Sequence, residues 1–318
     1  MSYAILGAGG VGGLVAAALA RSGAPVTVVA REPTAAAIAR DGLRVRSVRL
    51  GEFDAWPRAV ARLDEPVRAL IVATKANALA PALDRIAAEP ELVVPLLNGL
   101  DHLALLRERF GDRAVAASIR VESARLAPGE IVHTSPLVRV DLASADAARR
   151  AQLEPVAADL RAAGIPADVG ADEAAVMWSK LLRLVALATV TSAAGKPLGA
   201  VRAEPRWRAA LEAVVRETAA VARAEGAPAD AEATLAEIAA VHADFRSSMQ
   251  RDLEAGRPLE LDAIAGAVLR AGARRGIACP TLAELAAIVA RRAAMAPPPD
   301  DSPGAQDREP GWRARAKG

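Results

Sequence analysis

An apolar strand running into a glycine-spaced turn and then an alanine-rich helix constrains this 318-residue chain more than any other feature: Tyr3-Ala4-Ile5-Leu6, then Gly7-Ala8-Gly9-Gly10-Val11-Gly12. The spacing suits a pyrophosphate cradle. Gly7 permits a tight turn, Gly9 removes the Cβ that would hold a phosphate off the backbone, and Gly12 lets the helix lie close to the strand. The helix N-terminus then faces the anion with unpaired N–H groups and the positive end of its dipole. Gly7, Ala8, Gly9, Gly10, Val11 and Gly12 are therefore the candidate nucleotide contacts. A second strand, Val26 to Ala30, ends in Arg31, where a site for NAD would carry a carboxylate. A carboxylate there repels a 2′-phosphate, whereas a guanidinium pairs with it, so the swap favours NADPH/NADP+. The alternative is a solvated loop arginine.

Strand-like runs at Leu70 to Ala73, Leu92 to Leu96 and Val115 to Ile119 alternate with helical ones, the pattern of a parallel sheet wound by helices. Short β-like pieces from about Val121 to Leu142, with Pro128-Gly129 between them, suggest a hairpin that extends this sheet. After Asp172 the chain reads as helical nearly throughout, broken at Gly195-Lys196-Pro197, Gly226-Ala227-Pro228 and Gly276 with Pro280. The expected architecture is an α/β N-terminal Rossmann-type dinucleotide-binding domain over 1–170 and an all-α C-terminal helical domain over 171–295. A proline-rich, charged tail over 296–318 is expected to be disordered.

A hydrophobic share of 53% supplies apolar surface for two cores. Forty basic against 38 acidic side chains build no field for nucleic acid. Cys279 stands alone, which excludes an intramolecular disulfide and a multi-cysteine metal site and fits a reducing compartment. No basic region precedes a cleavable apolar stretch, and no charge-free run is long enough to span a bilayer. A cytoplasmic protein without membrane or nucleic-acid partners is expected. His102, His133 and His242 lack ligand spacing, so neither a metal nor a histidine base is assigned, and surface or turn positions are expected for them.

Two further segments follow strands, where ligands sit in open parallel sheets. Thr74-Lys75-Ala76 offers a cation, and Leu97-Asn98-Gly99 an amide that donates and accepts at once. An ordinary helix start and an ordinary turn are the competing readings. In the helical half, Lys180 opens an apolar segment running to Thr191. An ammonium held against such a surface is destabilised and becomes a better proton donor, unless the side chain simply reaches water. The stretch from Phe245 reads as a helix ending at Ala255-Gly256, with a new helix after Pro258 and Glu260 in its first turn. That carboxylate is stabilised by the dipole, or is only a helix-start charge.

In order and spacing these pieces resemble the ketopantoate reductase (2-dehydropantoate 2-reductase) family up to about residue 295. The resemblance rests on GAGGVG at Gly7 to Gly12, Arg31, Thr74-Lys75-Ala76, Leu97-Asn98-Gly99, Trp178 with Lys180, Ser247-Ser248-Met249, Glu254 to Pro258, and Glu260-Leu261-Asp262-Ala263-Ile264. It implies an NADPH-dependent reduction of 2-dehydropantoate to pantoate. Lys180 would be the general acid, Ser248 would hold the substrate carboxylate, and Glu260 would bind the substrate's polar end and orient the lysine. Asn98 would touch both ligands, and Lys75 would lie beside the nicotinamide ribose and the substrate. A homodimer is one assembly found in the family. Leu184, Ala188 and Ala265 depart from the pattern, because family members usually carry asparagines there. Their loss makes a less hydroxylated 2-oxo acid or ketone the second reading, and an NADPH-binding regulator without turnover the third.

Overall fold

The computed structural model describes residues 2–295; the tail expected at 296–318 lies outside the described residues. Within that range the chain forms two compact units, 2–97 with 102–176, and 98–101 with 177–295.

The first unit opens with β1 (Tyr3–Leu6), α1 (Gly10–Arg21), β2 (Val26–Val29), α2 (Glu32–Asp41), β3 (Leu43–Ser47), β4 (Gly51–Ala55) and β5 (Arg58–Val60). It continues with β6 (Ala69–Val72), α3 (Leu79–Leu83), β7 (Leu92–Pro95), α4 (Asp101–Phe110), β8 (Ala116–Ala127), β9 (Glu130–Ala143), α5 (Ala147–Ala162) and β10 (Ala167–Gly170). A parallel sheet runs β5-β2-β1-β6-β7, with Tyr3 opposite Val26 on one side and Ala69 on the other. Every residue of β1, β6 and β7 is buried, as continuous apolar strands require when both faces of a parallel sheet are covered. Gly12 to Leu19 of α1 are buried as well, so this helix is held tightly enough to fix its N-terminal turn.

The hairpin around Pro128-Gly129 forms as expected, but it does not extend the parallel sheet. The expected strand Val115 to Ile119 is instead the first part of β8, which pairs antiparallel with β9 in a second sheet. The long β9 carries β8 along one edge, and β3 and then β10 along the other. The chain still meets β7 just ahead of β8, where the Val115 N–H donates to the Val93 carbonyl at 3.1 Å, and from Ala116 onward a tight turn brings β8 and β9 together at little cost in loop closure.

The second unit is helical. It comprises most of α6 (Glu173–Ala194), with α7 (Leu198–Ala203), α8 (Pro205–Ala224), α9 (Ala231–Ala239), α10 (Ser248–Glu254), a π-helical turn at Asp262–Gly266, α11 (Ala267–Arg274) and α12 (Pro280–Met295). The breaks at Gly195, Gly226 and Gly276 fall where the sequence places them, each at positive φ after a helix end. The helix expected from Phe245 starts only at Ser248, because the Ser247 hydroxyl accepts the Gln250 N–H at 3.1 Å and caps it. Of the described helices α6 alone is long and apolar enough to cross a membrane, with a window of mean hydropathy 1.4 that is 61% buried inside the protein.

Candidate active site

The glycine turn has the shape its residues imply. Gly7 adopts φ +105°, and a methyl there would lie 2.9 Å from the Ala73 carbonyl oxygen. A methyl on Gly12 would lie 1.9 Å from the Gly7 oxygen, so the helix can approach the strand only without a side chain at that position. Gly9 differs, since nothing lies within 4 Å of its missing Cβ. Packing does not demand a glycine at Gly9, whereas a phosphate approaching the backbone does. Ala8 is buried behind the turn, while Gly10 and Val11 start α1 partly exposed. Beside them the Thr74 hydroxyl oxygen is buried without a hydrogen-bond partner, and its methyl would be 3.0 Å from a Cβ on Gly7. An orphaned hydroxyl and an open glycine face in one place fit a dinucleotide phosphate. Arg31 caps α2 in extended conformation and is exposed, and Lys75 stands exposed ahead of the short turn Ala76–Ala78.

In the helical unit three candidates meet. Lys180 Nζ donates to Asn98 Oδ1 at 2.8 Å, and Asn98 Nδ2 donates to Glu260 Oε2 at 2.9 Å. All three residues are partly buried. The amide is thereby oriented from both sides, because only its oxygen can face the ammonium and only its nitrogen the carboxylate. The neighbour Gly99 makes this possible. It holds φ +90°, and a Cβ there would come within 2.1 Å of the Ala263 carbonyl, so only glycine lets the Asn98 turn sit against the π-helical segment that follows Glu260. Glu260 itself stands just ahead of that helix rather than in its first turn. Its carbonyl accepts the Ile264 N–H at 2.9 Å, which fixes the backbone from which the carboxylate projects.

Lys180, Leu184 and Ala188 recur at four-residue spacing on one face of α6. Three residues further on, Thr191 Oγ1 pairs with Ser247 Oγ at 2.9 Å, a buried hydroxyl contact that ties the cap of α10 to α6. Ser248, the substrate-carboxylate candidate, is exposed at the first position of α10, and no hydrogen bond to the Lys180, Asn98 and Glu260 trio is found for it among the described residues. The structural work in this serine pair falls to Ser247, which sequence reasoning left without a role; a serine ahead of an apolar helical run is the signal for such a cap. Also missed was Ser123, whose hydroxyl donates to the Gly10 carbonyl at 2.9 Å.

Two histidines depart from the expected surface positions. His102 and His133 are buried, at 5% and 1% exposure. Ser47 Oγ accepts the N–H groups of Arg49 and Leu50 at 3.2 and 2.8 Å, so its own proton points to His133 Nδ1, 2.8 Å away. Burial pushes the His133 pKa below its ordinary value, in keeping with a neutral ring. Burial likewise pushes the Cys279 thiol up to about 11, with Glu217 adding to the effect, which leaves it a packing residue at neutral pH.

Residues 3–146 match the family model described as ketopantoate reductase PanE/ApbA, and residues 173–293 match the model of its C-terminal part. A 2-dehydropantoate 2-reductase of Mycobacterium tuberculosis is 32% identical over 284 residues, covering 87% of this chain and 92% of the relative. The crystal structure of a 2-dehydropantoate 2-reductase from Geobacter metallireducens superposes with a TM-score of 0.83 at 28% identity, covering 92% and 99% of the two chains. D-mandelate dehydrogenase, solved with NADH and anilino(oxo)acetate, superposes at 0.84 over 93% and 99%; at 21% identity this is a likeness of fold alone.

Proposed function

This chain belongs to the ketopantoate reductase PanE/ApbA family of oxidoreductases, and from that premise we propose that it reduces a 2-oxo acid with NADPH, 2-dehydropantoate to pantoate being the leading reaction. The observation that carries the reading is the hydrogen-bonded run from Lys180 through Asn98 to Glu260. A nicotinamide cofactor follows from the family, and the extra phosphate from Arg31. Gly7 to Gly12 would receive its pyrophosphate with Thr74 beside it, Lys75 would lie beside the nicotinamide ribose and the substrate, and Asn98 would touch both cofactor and substrate. When bound, NADPH supplies a hydride to the substrate's carbonyl carbon.

Lys180 then gives a proton from Nζ to the oxygen on which negative charge grows, and the neutral amine is reprotonated from solvent. Asn98 holds that amine in place without competing for the proton, since an amide oxygen is a far weaker base than an alkoxide. Glu260 fixes the amide and places negative charge near the ammonium, and Ser248 is assigned to the substrate carboxylate. The reaction balances as 2-oxo acid, NADPH and one proton giving 2-hydroxy acid and NADP+. A cytoplasmic location is part of this proposal, since a small soluble acid and a nicotinamide cofactor are both available there.

A second reading is carried by Leu184, Ala188 and Ala265, which put no amide where the family usually has three. Lys180 and its two polar partners remain, but Leu184 and Ala188 make the same helix face apolar, favouring a 2-oxo acid or ketone with fewer hydroxyls. Loss of NADPH absorbance with 2-dehydropantoate and with a panel of apolar 2-oxo acids distinguishes these readings. Turnover of 2-dehydropantoate supports the first. Preference for an apolar acid, reduced by Leu184→Asn with Ala188→Asn, supports the second, and NADPH binding without oxidation of any substrate overturns both in favour of a regulator.

A further inference from the structure

We propose that Arg125, on the β8–β9 hairpin, is a second arginine of the site for the cofactor's ribose 2′-phosphate, closing on that dianion together with Arg31. The proposal rests on the NADPH reading above and adds the residue that would complete its specificity. The hairpin is seated on the phosphate-facing end of α1. Ser123 Oγ donates to the Gly10 carbonyl at 2.9 Å, and a methyl on Gly10 would lie 2.4 Å from the Ser123 carbonyl oxygen. One turn along, a methyl on Gly13 would lie 2.5 Å from Ile131 Cδ1, and Ile131 is the residue opposite Arg125 in the hairpin. Two contacts thus clamp the hairpin onto the first turn of α1, and Arg125 lies on the same rung as the second of them, two residues on from Ser123.

Charge supplies the second half of the argument. Neither Arg31 nor Arg125 has a hydrogen-bond or ion-pair partner for its guanidinium among the described residues, in a chain where most arginines do. Burial first, and then the like charge of Arg31, hold the Arg125 guanidinium below the ordinary arginine range. Two unpaired cations that repel each other, one of them partly desolvated, stabilise nothing in the protein alone. A dianion placed between them relieves the repulsion and satisfies both forks. A phosphomonoester on the adenosine ribose has this charge, and Arg31 follows β2, where that ribose sits in the dinucleotide fold.

Calorimetric titration with 2′,5′-ADP and 5′-ADP, with no reaction involved, tests the assignment. The unaltered protein should prefer 2′,5′-ADP. Arg125→Ala should lose about ten- to a hundredfold of that preference with 5′-ADP binding unchanged, and Arg125→Lys, a charge without the fork, should lose less. The Tm of Arg125→Ala without nucleotide should equal or exceed that of the unaltered protein, because a repulsion is removed; a drop would assign Arg125 a structural role instead. Full retention of the preference in Arg125→Ala overturns the proposal while leaving NADPH in place. Equal binding of the two nucleotides by the unaltered protein overturns the NADPH reading and this proposal together.

Discussion

Replacing Asn98 with alanine removes an amide that bonds to both Lys180 and Glu260, at 2.8 and 2.9 Å. A hydrogen bond to a charged partner contributes about 1.5–3 kcal/mol. Both bonds are only part-buried, so solvent screens them and the lower end applies. Two such bonds amount to about 3 kcal/mol, and at about 1.4 kcal/mol per tenfold the loss in kcat/KM is about a hundredfold. Initial rates of NADPH oxidation, measured with the acid that the substrate panel identifies, give the number. Asn98→Asp provides the control for shape. It keeps an oxygen toward Lys180 but sets a carboxylate against that of Glu260, so one of the two must take up a proton, and activity should fall with a changed pH profile. Asn98→Ala turning over within about threefold of the unaltered enzyme would show that the relay through the amide does not position the lysine, and the reasoning from these two bonds would fail.

Gly9→Ala should change stability without nucleotide by less than about 1 kcal/mol, because φ −80° suits alanine and no atom stands within 4 Å, yet weaken NADPH in a fluorescence titration; unchanged affinity would remove Gly9 from the site. Gly99→Ala is the opposite case. Positive φ and the Ala263 carbonyl at 2.1 Å should cost at least about 1–3 kcal/mol in a denaturant melt and lower kcat/KM by displacing Asn98. The depressed His133 pKa means that the folded protein resists a proton which the unfolded chain accepts near 6.5, so this stability is present above about pH 6.5 and lost as pH falls through the lower folded value. Thermal melts from pH 8 to 5 should show the decline, and His133→Gln should flatten it.

The local features were legible because their causes are local. Gly7 to Gly12 declare a turn by backbone requirements within six residues, and the breaks at Gly195, Gly226 and Gly276 declare helix ends in the same way. The meeting of Lys180 with Asn98 and of Asn98 with Glu260 joins residues 82 and 162 positions apart, which no periodicity encodes; only family resemblance associated them. Arg125 was invisible because an arginine on a hairpin usually has solvent or a carboxylate beside it, and its solitude exists only once β8 lies across α1. The second sheet escaped for a related reason. Short alternating strands do not state their partners, and β9 recruits β3 from about ninety residues upstream, a pairing written in no local pattern. Buried His133 reads as a surface residue until Ser47, 86 positions away, is placed against it.

The central claim is that the Lys180 ammonium protonates the substrate oxygen, and a single-turnover experiment with Lys180→Ala tests it most directly. With NADPH bound and substrate in excess, the absorbance decay should slow by about 10²–10⁴-fold, the contribution of one positioned acid, while an NADPH titration of the same preparation stays unchanged. A decay at the rate of the unaltered enzyme would contradict the account, whatever the fold and the family.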